Sequence, residues 1–244
     1  MQSPLFGHTE TQAVGRYALQ NPQLLRVRVD GSGDVLARSG AMVAYTGKVA
    51  FTSWSPAGRR NRRGNDPTTL ELMRCDGDGT VYLANLAQHL HILELQREQL
   101  TITSSYVLAM DSSLRWQVVG VQGGEHISGV GSRSLELTGS GTLVLMTSGQ
   151  PLVMRVRPGA YCFADADAVV AWSSGLEVQL QAQSRNTEVW RRRGTATEGW
   201  EMAFSGTGYV VVQPSELLPP RRIPLRGVAT QSGLGQGGPR GVSR

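Results

Sequence analysis

A short apolar run that ends in a polar turn and restarts as a strand occurs three times in this chain, over residues 39–51, 106–116 and 168–178. Aligning the copies puts Ala44, Ala109 and Ala171 at one position and Val49, Leu114 and Leu176 at another. This reads as the corner of a β unit used three times. A second signature travels with it: Gly77-Asp78-Gly79, Gly139-Ser140-Gly141 and Gly206-Thr207-Gly208, each flanked by alternating apolar residues. A Gly-x-Gly in that setting supplies the positive φ of a tight β turn, so a hairpin is expected at each. It is not a dinucleotide fingerprint, because neither a third glycine nor a helical pattern follows.

The two signatures divide the chain into three repeats, residues 24–88, 90–150 and 152–216. Each opens on an alternating strand, at Leu25 to Val29, Leu90 to Leu95 and Leu152 to Arg157, with the period of two that half-buried strands show. A period of roughly sixty residues is too long for a solenoid unit. It suits a compact β unit, of which three share a core that one alone cannot close. The expectation is an all-β domain over residues 23–216 with a pseudo-threefold axis. Residues 1–22 form an arm or a first strand, from Arg16 to Gln20, ended by Asn21-Pro22 since proline cannot donate to a ladder. Residues 217–244 read as a disordered tail rich in Pro, Gly and Arg.

Composition supports many turns and short strands, with 30 glycines and 11 prolines among 244 residues. The net charge of +5 resembles a nucleic-acid signal until it is located. Arg221, Arg222, Arg226, Arg240 and Arg244 account for all of it, since residues 217–244 hold no acid and residues 1–216 hold 19 basic and 19 acidic residues. The body is therefore neutral. Cys75 and Cys162 lie in neither a CxxC nor a zinc-like spacing and suit a reducing cytosol, so a cytoplasmic location is expected. No basic and apolar leader opens the sequence. No run of about 18 apolar residues occurs, which argues against membrane insertion.

With these motifs in hand, the chain resembles the AIM24 family, in particular its bacterial, actinobacterial-type members. The resemblance rests on Arg38-Ser39-Gly40-Ala41-Met42-Val43-Ala44-Tyr45-Thr46-Gly47, Gly79-Thr80-Val81-Tyr82-Leu83-Ala84-Asn85, Ser104-Ser105-Tyr106-Val107-Leu108-Ala109, Asp165-Ala166-Asp167-Ala168-Val169-Val170-Ala171-Trp172 and Gly199-Trp200-Glu201. It covers about residues 20–220. It implies a fold related to the tryptophan-attenuator RNA-binding proteins, a short variant of the double-stranded β-helix, with three structural repeats and homo-oligomers. The yeast member that names the family is mitochondrial and linked to inner-membrane organisation. The resemblance brings no catalytic residues and no cofactor.

Three constellations are candidates for chemistry. His89 and His91 point to one face of a strand, and H-x-H with a carboxylate and a later histidine is the metal set of cupins. Here Glu94 comes too early and faces the other way, and His126 lies in a loop signature, so ordinary strand histidines are the expectation. Asp165 and Asp167 could pair as carboxylates, but next to a corner they more often hold turns. Trp190, Arg191, Arg192 and Arg193, followed by Trp200, put three guanidinium groups beside an indole, which suits stacking on single-stranded nucleic acid. The arginines at 59, 60, 62 and 63 read as a solvated insertion loop without interleaved aromatics. No G-x-S-x-G elbow is present.

The sequence thus favours a non-enzymatic, self-associating scaffold or interaction module, with protein partners and no cofactor. Single-stranded RNA binding through Trp190 to Arg193 and the basic tail is the alternative. A cupin-like metal enzyme built on His89 and His91 is the third reading.

Overall fold

The computed structural model describes residues 3–12, 15–32, 34–54, 70–121, 133–182 and 200–215. The described chain is all β apart from two short 3-10 turns, Pro4–Gly7 and Ser104–Tyr106. Its strands are β1 (Tyr17–Asn21), β2 (Leu24–Asp30), β3 (Val35–Arg38), β4 (Met42–Trp54), β5 (Leu72–Leu83), β6 (His89–Ile102), β7 (Val107–Asp111) and β8 (Arg115–Gly120). They continue as β9 (Arg133–Thr147), β10 (Leu152–Val156), β11 (Cys162–Asp165), β12 (Val169–Ser173), β13 (Glu177–Ala182), β14 (Trp200–Ser205) and β15 (Gly208–Val212). No described helix is long and apolar enough to cross a membrane.

Twelve strands form one sheet in the order β1-β2-β5-β3-β7-β9-β6-β12-β15-β10, with β4 attached to β5 and β8 to β9. The remaining three form a small sheet, β11-β14-β13. Every pairing is antiparallel. The alternation in β2 sends Leu25, Val27 and Val29 into the core and leaves Arg28 outside. Three apolar clusters result, the first spanning β2 to β9, the second β3 to β12, and the third built from β10 to β15 with Val121.

The corner signature holds in two copies and fails in one. The chain turns at Ser112 to Leu114 between β7 and β8, and at Ser174 to Leu176 between β12 and β13. In the first copy β4 runs unbroken from Met42 to Trp54, bending at Gly47 instead (φ +88°). The alignment of the three alanines nonetheless lands on one structural position. Ala44 lies opposite Tyr82, Ala109 opposite Val144 and Ala171 opposite Val211, each immediately after a shift of register.

The hairpin expected at each Gly-x-Gly is not found. Gly77 and Gly79 lie inside β5, and Gly139 and Gly141 inside β9. At Gly206 the chain passes from β14 of the small sheet to β15 of the large one. The positive φ was read correctly: Gly77, Gly139 and Gly206 have φ of +116°, +116° and +112°. At Gly77 and Gly139 its use is a bend inside a long strand rather than a reversal, and at β5 it also permits close backbone approach. A Cβ on Gly77 would overlap the Lys48 carbonyl, and one on Gly79 the Thr46 carbonyl.

Candidate functional site

The surface feature that stands out is a pair of strand edges carrying apolar side chains. Among the described residues β1, β4, β8, β10, β11 and β13 each hydrogen-bond to a neighbour on one side only; β4 pairs only with β5 and β11 only with β14, and β10 also carries exposed apolar side chains, Leu152 and Val153. On and around β4, Met42, Val43 and Tyr45 are 38%, 60% and 48% exposed. At β11, Tyr161 and Phe163 are 70% and 51% exposed, with their rings stacked at 6.1 Å. An edge strand leaves a row of unsatisfied amides and carbonyls, which proteins commonly cover with charge, proline or a bulge. Strand β4 has Lys48 and one bulge between Met42 and Ala44; β11 has only its terminal Asp165. A shallow cleft of about 520 Å³ opens beside the β4 bend, lined by Tyr45, Lys48 and Asp76 among others.

Histidines 89 and 91 share one face of β6, and both are half-buried. The His91 Nε2 lies 2.9 Å from the Thr147 Oγ1, whose proton is used on the Gly149 carbonyl at 2.6 Å. The threonine oxygen therefore accepts, and His91 donates from Nε2 as a neutral ring. Burial first, and then the charge of His89, holds its pKa below the ordinary 6.5. Glu94 instead accepts from the Thr142 hydroxyl at 3.0 Å. Among the described residues no group of three His, Cys, Asp or Glu side chains gathers as a metal set; His126 lies outside the described residues.

The sign of the His91 shift fixes a pH effect. The unfolded ring takes a proton near pH 6.5 and the folded ring only below that, so the unfolded state binds more protons in this window. Stability should fall as pH drops through 6.5 towards the folded value. In His91→Gln this part of the decline should vanish, leaving a flatter melting temperature between about pH 5 and 7.5; an unchanged profile would assign the decline to other groups.

The Asp165 Oδ1 accepts the Asp167 backbone N–H at 2.8 Å, a local turn. Trp190, Arg191, Arg192 and Arg193 lie outside the described residues, as do the arginines at 59, 60, 62 and 63 and the C-terminal tail. Trp200 opens β14 opposite Ala182 and packs partly into the third core cluster.

One polar cluster has no precursor in the sequence reading. The Asp111 carboxylate, at the end of β7, accepts the Tyr17 hydroxyl at 2.8 Å and the Thr142 backbone N–H at 2.7 Å. Arg16 lies 3.7 Å from it and pairs with Asp30 at 3.2 Å. Burial, and then the Asp111 charge and hydrogen bond, drive the Tyr17 pKa far above its ordinary 10.0. These hydrogen bonds tie β1 to β7 and β9. The members of the cluster lie up to 126 residues apart, which no local pattern reveals.

A crystal structure of a protein from Streptococcus pyogenes shares this fold, with a TM-score of 0.62 and 22% identity over 82% of this chain and 92% of that one. No curated protein matches. The family model described as mitochondrial biogenesis AIM24 matches residues 17–215, from the first strand of the sheet to the last described residue, and the chain belongs to the AIM24 family.

Proposed function

We propose that this AIM24-family protein is a non-enzymatic, self-associating β scaffold or interaction module that works in the cytosol. The observation that carries this reading is that β4 and β11, two of the strands open on one side among the described residues, carry Val43, Tyr45, Tyr161 and Phe163 on or beside them, each about half exposed or more. Covering such edges removes apolar surface from water and satisfies the free backbone groups together. Three of the described ionisable groups serve the fold: Asp111 holds two donors, His91 is a neutral donor, and Asp165 closes a turn. Two free cysteines suit a reducing compartment. The matching ladder positions of Ala44, Ala109 and Ala171 support reading residues 24–216 as three like units.

Light scattering on untagged protein at about 10–100 µM, the concentrations at which modest interfaces populate, tests the reading. The expected mass is a multiple of the 26.3 kDa chain. Val43→Lys combined with Tyr161→Lys should return it to that of one chain, because a desolvated lysine opposes association. A wild-type protein that is one chain at every concentration would end the proposal.

A further inference from the structure

The self-association proposed above has a specific register, which the chain's own pairings supply. In each unit one strand enters beside a glycine-bearing strand at the same place. Ala37 lies opposite Met73, Ile102 opposite Leu135 and Ala164 opposite Met202, where the partner stands four residues before Gly77, Gly139 and Gly206. Ala44, Ala109 and Ala171 stand opposite residues five beyond the same glycines, on the other side of β5 and of β9 and, in the third unit, on β15, which continues the chain after β14.

Two seams join these positions within the chain. Ala37 of β3 pairs with Ala109 of β7, and Ile102 of β6 pairs with Ala171 of β12. In both, the strand from one unit seats on the edge of the next. Carried forward, the same rule pairs Ala164 of β11 with Ala44 of β4, Phe163 with Tyr45, and Cys162 with Thr46. Those two strands do not pair within the chain.

Burial marks what is missing. At the filled seams the residues one step along are Leu36 opposite Met110, both 0% exposed, and Thr101 opposite Trp172, both 4% exposed. Their counterparts Phe163 and Tyr45 are 51% and 48% exposed. Two half-exposed aromatic rings thus occupy the places where the other seams bury their side chains.

We propose that β11 of one copy pairs antiparallel with β4 of a second copy, Ala164 opposite Ala44 and Phe163 opposite Tyr45. The two halves of this seam differ, so each copy offers one of each and assembly runs head to tail, closing into a ring or extending. One tie is absent. Arg38 donates from Nε to the Val107 carbonyl at 2.8 Å, and Thr103 from its hydroxyl to the equivalent Val169 carbonyl at 3.3 Å. Asp165 stands in that place at the third seam and brings no donor. This seam is the weakest of the three, as suits one made between chains.

The test uses full-length chains carrying Cys162→Ser. One bears Ala44→Cys, the other Ala164→Cys and a size tag; they are mixed, oxidised and run without reductant, beside light scattering of the wild type. A disulfide-linked heterodimer in excess of like-with-like products is expected, with none from Ala50→Cys mixed with Ala164→Cys. An oligomeric wild type without that heterodimer overturns this register and leaves self-association standing, whereas a single-chain wild type removes both. Ala44→Cys and Ala164→Cys placed in one chain, if they close internally at single-chain mass, also overturn it. As a check independent of cysteine, Tyr45→Glu and Phe163→Glu should each dissociate the assembly, and mixing Tyr45→Arg with Phe163→Glu should restore it.

Discussion

Gly77→Ala should be among the most damaging small substitutions at the described glycines. The backbone there has φ +116°, a conformation L side chains rarely adopt, and the new Cβ would overlap the Lys48 carbonyl across the β4–β5 ladder. Neither insult is relieved by a rotamer change, because the obstructing atoms are backbone. The expected loss is about 3 kcal/mol, a fall of roughly 6–12 °C in melting temperature for a domain of this size. Gly175→Ala is the control: its Cβ would meet nothing within 4 Å, and no positive φ is required. It should leave the melting temperature nearly unchanged. Equal melting temperatures for the two variants would show that β4 yields freely at this bend.

Asp111→Ala should come close behind. The side chain, 16% exposed, takes the Tyr17 hydroxyl and the Thr142 amide and faces Arg16. Truncation strands a half-buried phenol and a buried amide, and leaving a donor unsatisfied costs more than the hydrogen bond itself contributed. The expected cost is about 2–4 kcal/mol by denaturant unfolding. Asp111→Asn keeps the shape: its oxygen still accepts the Thr142 amide while its amide donates to the phenol. It should recover about half of the loss, and Tyr17→Phe alone should cost about 1 kcal/mol. Non-additivity of Asp111→Ala with Tyr17→Phe would measure the coupling directly. If Asp111→Ala is neutral, the cluster is incidental to stability.

The recurring apolar and glycine patterns were enough to make this chain all β and to align Ala44, Ala109 and Ala171, since strand periodicity and glycine placement are local properties. The period of two in Leu25, Val27 and Val29 named a core face without any coordinates. What the glycines do there was not legible. A residue with positive φ serves a turn or a bend equally well, and only the strand across from it decides. Opposite Gly77 lies the Lys48 carbonyl, so β5 bends and continues where a hairpin was expected. The Asp111 cluster was hidden for a related reason: Arg16, Tyr17 and Thr142 reach it from β1 and β9 and their flanks, and no sequence window holds all of them.

Histidines 89 and 91 were correctly placed on one strand face, because side-chain alternation is intrinsic to the strand. Their chemistry came from outside it, from Thr147 on the neighbouring strand β9. The same division holds at the edges. Local sequence marks residues 39–51 as an apolar run with a corner, whereas β4 continues unbroken through it, and the strand over residues 162–165 was not legible. Only the tertiary structure decided which of the three equivalent alanines is left uncovered. Ala109 and Ala171 are buried because β3 and β6 seat on them, while Ala44 has no such neighbour among the described residues. Burial is a property of what lies across the ladder, and a sequence states only what lies along it.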